Sequence, residues 1–89
     1  MKILKFGAVW CSGCLVMKPR FMEIEKEMPW LETTYYDYDQ DKAMCNKWQV
    51  NKILPVFVFL DRDNNELFRL SGEQSKKKLL GLIEKNKDK

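Results

Sequence analysis

Phe6-Gly7-Ala8-Val9-Trp10-Cys11-Ser12-Gly13-Cys14 is the stretch that decides the fold. It joins two elements. Lys2 to Ala8, just before the cysteines, is short and mostly apolar and reads as a buried strand. After them, Met17, Phe21, Ile24 and Met28 recur at spacings of four, three and four. That is the apolar stripe of a helix running from Ser12 to Met28. Pro19 lies inside the stripe and is expected to kink the helix, because it removes one backbone hydrogen bond; Pro29 closes it. The Cys-x-x-Cys pair therefore straddles a helix start.

Outward from there, Glu32 to Asp39 reads as a second strand, with Thr34, Tyr36 and Tyr38 on one face. Strand, helix, strand makes a βαβ unit and hence a parallel pair. Asp41 to Trp48 reads as a short helix. Pro55 to Leu60 is apolar at every position, as expected of a central strand covered on both faces. Asp61 to Asn65 is a polar turn, and Glu66 to Ser71 is the return strand of a hairpin. Ser75 can cap a final helix whose buried side carries Leu79, Leu80 and Ile83. The order is β-α-β-(short α)-β-β-α. The fold class is α/β: a four-stranded mixed sheet with helices on both faces, in one domain over residues 1–89.

Composition narrows the function classes. Apolar residues make up 45% and charged residues 33%, and the formal net charge is +3. Neither the charge nor any motif fits a nucleic-acid binder. No run approaches the ~18 apolar residues of a membrane span. The N-terminal Met1-Lys2-Ile3-Leu4-Lys5 does not read as a secretory signal, so the expected location is the cytosol. Three cysteines in a cytosolic chain argue against a structural disulfide framework. The absence of histidine removes Cys–His pairs, Ser–His–Asp triads and imidazole metal sites.

What remains is thiol chemistry. The first N–H groups of a helix have no internal partner, and the macrodipole is positive there. A thiolate at Cys11 would accept those donors; thiols in such settings titrate at roughly 3.5–7.5, against about 8.5 when free. Cys11 would attack a target disulfide, and Cys14, one turn in and more buried, would attack Cys11 and release the product. Two other readings stay open. A metal module could use Cys11 and Cys14 as ligands, although zinc wants four ligands and only Cys45 remains as a soft partner. A non-catalytic interaction domain could keep the fold and use the groove for a partner.

The stretch from Phe6 to Cys14, with Trp10 directly before the first cysteine, resembles the active-site segment of the thioredoxin family. Pro19 stands where that family has its kink proline, Asp37-Tyr38-Asp39 resembles its second parallel strand, and Ile53-Leu54-Pro55-Val56-Phe57 resembles its cis-proline segment. The resemblance covers nearly the whole chain but lacks an extra N-terminal strand and helix, the minimal architecture that glutaredoxins share. It implies a disulfide reductase with Cys11 as nucleophile and Cys14 as resolving thiol. Trp10, Ser12, Gly13, Leu54, Pro55 and Gly72 would line the substrate groove, with Pro55 cis and the Leu54 backbone pairing an extended substrate. It implies no bound metal or cofactor beyond a redox-active Cys11–Cys14 disulfide. The implied partners are disulfide-containing proteins and a flavin-containing thioredoxin reductase as donor, and the implied state is a monomer.

The chain departs from the family at the Ser12-Gly13 dipeptide, where Gly-Pro is usual, and in a slightly longer stretch between Trp48 and Pro55. Lys5 stands where the family places a buried acid, and Tyr35 where many members carry that acid's lysine partner. Lys5 is thus a candidate for tuning the thiols: a cation there would favour thiolates, whereas burial would favour neutral lysine; the alternative is that its amine runs out to solvent. Before the final helix the chain has Ser71-Gly72-Glu73-Gln74, which differs from the glutaredoxin pattern. Cys45 reads as a spectator, Lys76-Lys77-Lys78 as a solvated helix start, and the tyrosines as strand packing. Asp61 to Asn65 opens like a calcium loop but lacks the turn glycine and the closing acid.

Overall fold

A computed structural model describes all residues, Met1–Lys89. The elements are β1 (Lys2–Gly7), α1 (Ser12–Glu27), β2 (Glu32–Asp37), α2 (Lys42–Lys47), β3 (Val56–Leu60), β4 (Glu66–Ser71) and α3 (Lys76–Asn86). The sheet order is β2-β1-β3-β4. β1 runs parallel to β2, and β3 pairs antiparallel with both β1 and β4. This is the mixed sheet and the element order expected from the sequence. No helix is long and apolar enough to cross a membrane.

Side-chain alternation along the strands divides the interior in two. Ile3, Phe57 and Phe59 face α1 and α3, where they meet Met17, Phe21, Ile24, Leu79 and Ile83. Leu4, Phe6, Val56, Val58 and Leu60 face the other way and pack with Cys45 and Val50. All five residues of β3 are buried, which is why that strand reads as an unbroken apolar run.

β4 keeps its sequence-based limits and β3 begins at Val56 rather than Pro55, while β1, β2, α1 and α2 fall one or two residues inside theirs. β1 stops at Gly7 rather than Ala8, and β2 at Asp37 rather than Asp39. There the chain turns: the Asp37 carboxylate accepts from the N–H groups of Asp39 and Gln40 at 3.0 Å each. α1 stops at Glu27, with Met28 as its C-cap, and runs unbroken through Pro19. α2 spans Lys42–Lys47, flanked by Asp41 and Trp48 as caps. Asp61 is a turn builder; its Oδ1 accepts from the N–H groups of Asp63 and Asn65.

Lysines at the start of α3 oppose the helix dipole. The structure supplies a reason for Lys76: its ammonium lies 2.9 Å from Glu27 and 3.5 Å from Glu23, tying α3 to α1. Ser75 caps α3 by accepting from the N–H of Lys78 at 3.1 Å. Ser75→Ala should lower the unfolding free energy by about 1 kcal/mol, read from the urea midpoint. An unchanged midpoint would mean the cap contributes nothing.

Candidate active site

The site forms where β1 delivers the chain to α1. Cys11 is the N-cap itself: its backbone is extended, and its Sγ accepts from the Cys14 N–H at 3.2 Å. The Cys11 N–H donates to Ala8 at 3.2 Å, closing the turn that carries Trp10. All three cysteines are free thiols.

Burial reverses one expectation. Cys11 is the more enclosed thiol, 8% exposed, while Cys14 is only partly buried. The reason is a cavity of about 540 Å³ between α1 and the β1–β2 ladder, which Cys14 borders together with Lys5, Gly7, Met17, Phe21 and Tyr35. Burial, then the hydrogen bond to Cys11, pushes the Cys14 thiol up from 9.0 to about 12. Folding thus favours the protonated thiol. That contribution to stability is fully present below about pH 9 and is lost as pH rises towards about 12. Urea midpoints of the reduced protein should therefore fall across this window by more than those of Cys14→Ala. Parallel falls in the two proteins would contradict the assignment.

The facing loop supplies Pro55. The Leu54–Pro55 peptide is cis. A Cβ on Gly13 would lie 3.2 Å from the Pro55 ring, so the bare glycine lets the Cys-x-x-Cys turn and the proline loop meet. Pro55 in turn accepts from the Gly72 N–H at 2.8 Å. Gly72 has φ of 83°, a conformation that favours glycine, and open space surrounds it. Pro55, Gly72, Ser12, Gly13 and both cysteines thus come to one end of the sheet. Leu54 packs with its side chain towards the second core, and Ser12 is exposed.

Trp10 is half exposed, and its indole N–H donates to Asp39 at 2.8 Å while its ring meets Tyr38 edge-on. Asp39 carries no sequence signal as a site residue, because nothing local links it to a tryptophan 29 positions away. Arg20 and Met17 were also missed. Arg20 donates to the Gln74 carbonyl at 2.7 Å, and the Met17 sulfur accepts from the Gln74 N–H at 3.3 Å. These contacts anchor the Gly72 loop to α1.

Lys5 does not simply run to solvent. Its ammonium lies 2.6 Å from Glu25 and over the Phe21 ring, with the side chain 17% exposed. Glu25 answers its charge, and burial and Cys11, not Lys5, are what shift Cys14. Tyr35 also departs from the strand-packing reading: it is 54% exposed and lies on the cavity side, unlike Tyr36 and Tyr38, which pack on the second core. No group of three or more Cys, Asp or Glu side chains is placed to hold a metal ion.

A four-stranded mixed sheet that presents Cys-x-x-Cys at a helix start, opposite a cis-proline loop, defines a thioredoxin-like dithiol protein. The chain belongs to the thioredoxin family, whose model, Thioredoxin, matches residues 1–85. It is 30% identical to thioredoxin H5 of Oryza sativa subsp. japonica over 70 residues, which are 79% of this chain and 50% of that protein. It is 26% identical to the thioredoxin of Chlamydia pneumoniae over 84 residues, 94% of this chain and 80% of that one. The crystal structure of Fasciola hepatica thioredoxin superposes with a TM-score of 0.85 at 32% identity, covering 96% of this chain and 79% of that one. The chain spans about half the length of the plant H-type relatives it matches.

Proposed function

We propose that this protein is a thiol–disulfide oxidoreductase that reduces disulfides in other proteins. The observation that carries the reading is Cys11 as the N-cap of α1, its sulfur turned onto a helix N–H and followed one turn later by a second free thiol. Cys11 attacks the target disulfide as a thiolate; one target sulfur leaves with a proton, and the other stays joined to Cys11. Cys14 then loses its proton and attacks the Cys11 sulfur. The second target sulfur leaves, and Cys11 and Cys14 end as a disulfide. Two electrons pass from the dithiol to the target, with no bound cofactor.

The surroundings fit an extended protein substrate. Exposed Val9 and Trp10, directly before Cys11, offer an apolar surface near the thiols, and the chain at the cis Leu54–Pro55 peptide offers backbone groups. In this reading the protein works in the cytosol, where thiol reductants keep such pairs reduced. A flavin-containing thioredoxin reductase is the donor consistent with the family. Wild type should accelerate the reduction of insulin by dithiothreitol, followed as turbidity, and Cys11→Ser should not. No acceleration by the wild type would sink the reading. A metal module would instead bind metal stoichiometrically, and an interaction domain would hold a partner equally well after Cys11→Ser.

A further inference from the structure

The resolving step requires Cys14 to become a thiolate at a place that resists charge. The chain lacks the buried acid that its family resemblance would put beneath this thiol, and Lys5 in that position is taken up by Glu25. The structure shows what lies beside Cys14 instead. A Cβ on Gly7 would stand 3.1 Å from the Cys14 sulfur and 3.1 Å from the Tyr35 hydroxyl oxygen. Two polar groups, one from α1 and one from edge strand β2, thus converge over the last residue of β1. They can do so only because that residue has no side chain. Register explains the meeting: Lys5 pairs with Tyr35 and Gly7 with Asp37, so Tyr35 leans along the ladder across the face α1 covers.

We propose that Tyr35 is a positioning residue for the resolving thiol: its hydroxyl donates a hydrogen bond to the Cys14 sulfur as that sulfur becomes a thiolate, and so sets how fast the mixed disulfide is resolved. The inference rests on the dithiol function proposed above. Tyr35 acts as a donor and keeps its own proton. Burial, then the charge of Asp37, raises the phenol above its ordinary 10.0, so it stays neutral through the working range. The Cys14 proton goes to water in the cavity. The new thiolate forms its bond to the Cys11 sulfur, and the target thiolate leaves and takes a proton from solvent.

The other charged or titratable groups around this point are Cys11 at the helix cap, Lys18 on α1, Lys5 on β1 with its partner Glu25, and Asp37 and Asp41 around the end of β2. β3 contributes only Phe57 to the cavity, and the loop before it Pro55. Lys5 is already paired, Lys18 is an exposed residue of α1, and neither is among the groups that shift Cys14; the two aspartates oppose a thiolate. A neutral donor is therefore the group placed to favour it.

The test separates the two halves of the reaction. Mixing the reduced protein with 5,5′-dithiobis(2-nitrobenzoate) should release one equivalent of thionitrobenzoate on Cys11 attack and a second when Cys14 displaces it. Cys14→Ser marks the second phase by losing it. Tyr35→Phe keeps the ring and removes only the hydroxyl. It should leave the first phase within about twofold and slow the second about tenfold at neutral pH, as expected for loss of one hydrogen bond to a charged group. The second phase should also reach its half-maximal rate about one pH unit higher, the equivalent of that tenfold change. An unchanged second phase, or equal slowing of both phases, overturns the role of Tyr35. A wild type that never releases the second equivalent overturns the resolving role of Cys14 and this inference with it, which Tyr35→Phe alone would not do.

Discussion

Cys14→Ser should convert a catalyst into a trap. With Cys11 intact, the variant still attacks a protein disulfide. Without a second thiol, the covalent complex with the target persists until an external thiol breaks it. Turnover of insulin should fall by about two orders of magnitude or more, since the intramolecular displacement has lost the effective concentration that a neighbouring thiol supplies. A covalent adduct should appear on non-reducing gels and vanish with dithiothreitol. The geometry accounts for the difference between the two cysteines. Cys11 caps α1 and takes a helix N–H at 3.2 Å, whereas Cys14 lies against the cavity with its thiol pushed up to about 12. Cys14 is thus suited to wait as a thiol until Cys11 holds a target. If the variant turns over insulin as fast as the wild type, a single thiol does the chemistry and the dithiol account is wrong.

Phe59→Ala should produce the largest loss of stability of any change away from the thiols. Phe59, the fourth residue of β3, has no exposure, and its ring stacks on Phe68 of β4 with centroids 4.5 Å apart. Removing a buried ring of this kind costs about 3–5 kcal/mol, through lost transfer energy and the cavity left behind. A domain of this size has on the order of 5–15 kcal/mol in total. At a urea slope of roughly 1 kcal/mol per molar, the midpoint should fall by about 3 M or more. Phe68→Ala removes the partner ring from a half-buried position and should cost visibly less. Equal losses would mean that β3 is not the centre of the core.

The sequence carried the parts of this structure that depend on period and on local chemistry. The unbroken apolar run of β3, the four-three-four stripe of α1 and the Ser75 cap each follow from a few neighbouring residues, and each is where it was expected. The mixed sheet follows from them, because a helix must cross between the parallel β1 and β2, whereas β3 and β4 join by a tight turn around Asp61. Contacts between distant residues were not legible. Nothing near Trp10 points to Asp39, nothing near Lys5 points to Glu25, and nothing near Gln74 points to Arg20. Each of these bonds joins residues on different elements, so it exists only once the layers are assembled.

Tyr35 is an intermediate case. Alternation alone puts it on the opposite face from Tyr36, but its meeting with Cys14 needs the β1–β2 register and a glycine at position 7. The burial order of the thiols differs from the sequence expectation for a related reason. A position one turn into a helix is normally the more enclosed, but here the space between α1 and edge strand β2 stays open beside Cys14.

The proposed chemistry needs Cys11 and Cys14 to form one reversible two-electron couple. Equilibrating the protein across glutathione buffers of graded potential, quenching with an alkylating agent and weighing the products tests it most directly. The expected result is a single transition between a form with three alkylated thiols and a form with one, in which peptide mapping finds Cys45 alkylated and Cys11 joined to Cys14. A protein that keeps three free thiols at every potential, or that pairs Cys45 with either of the others, would contradict it.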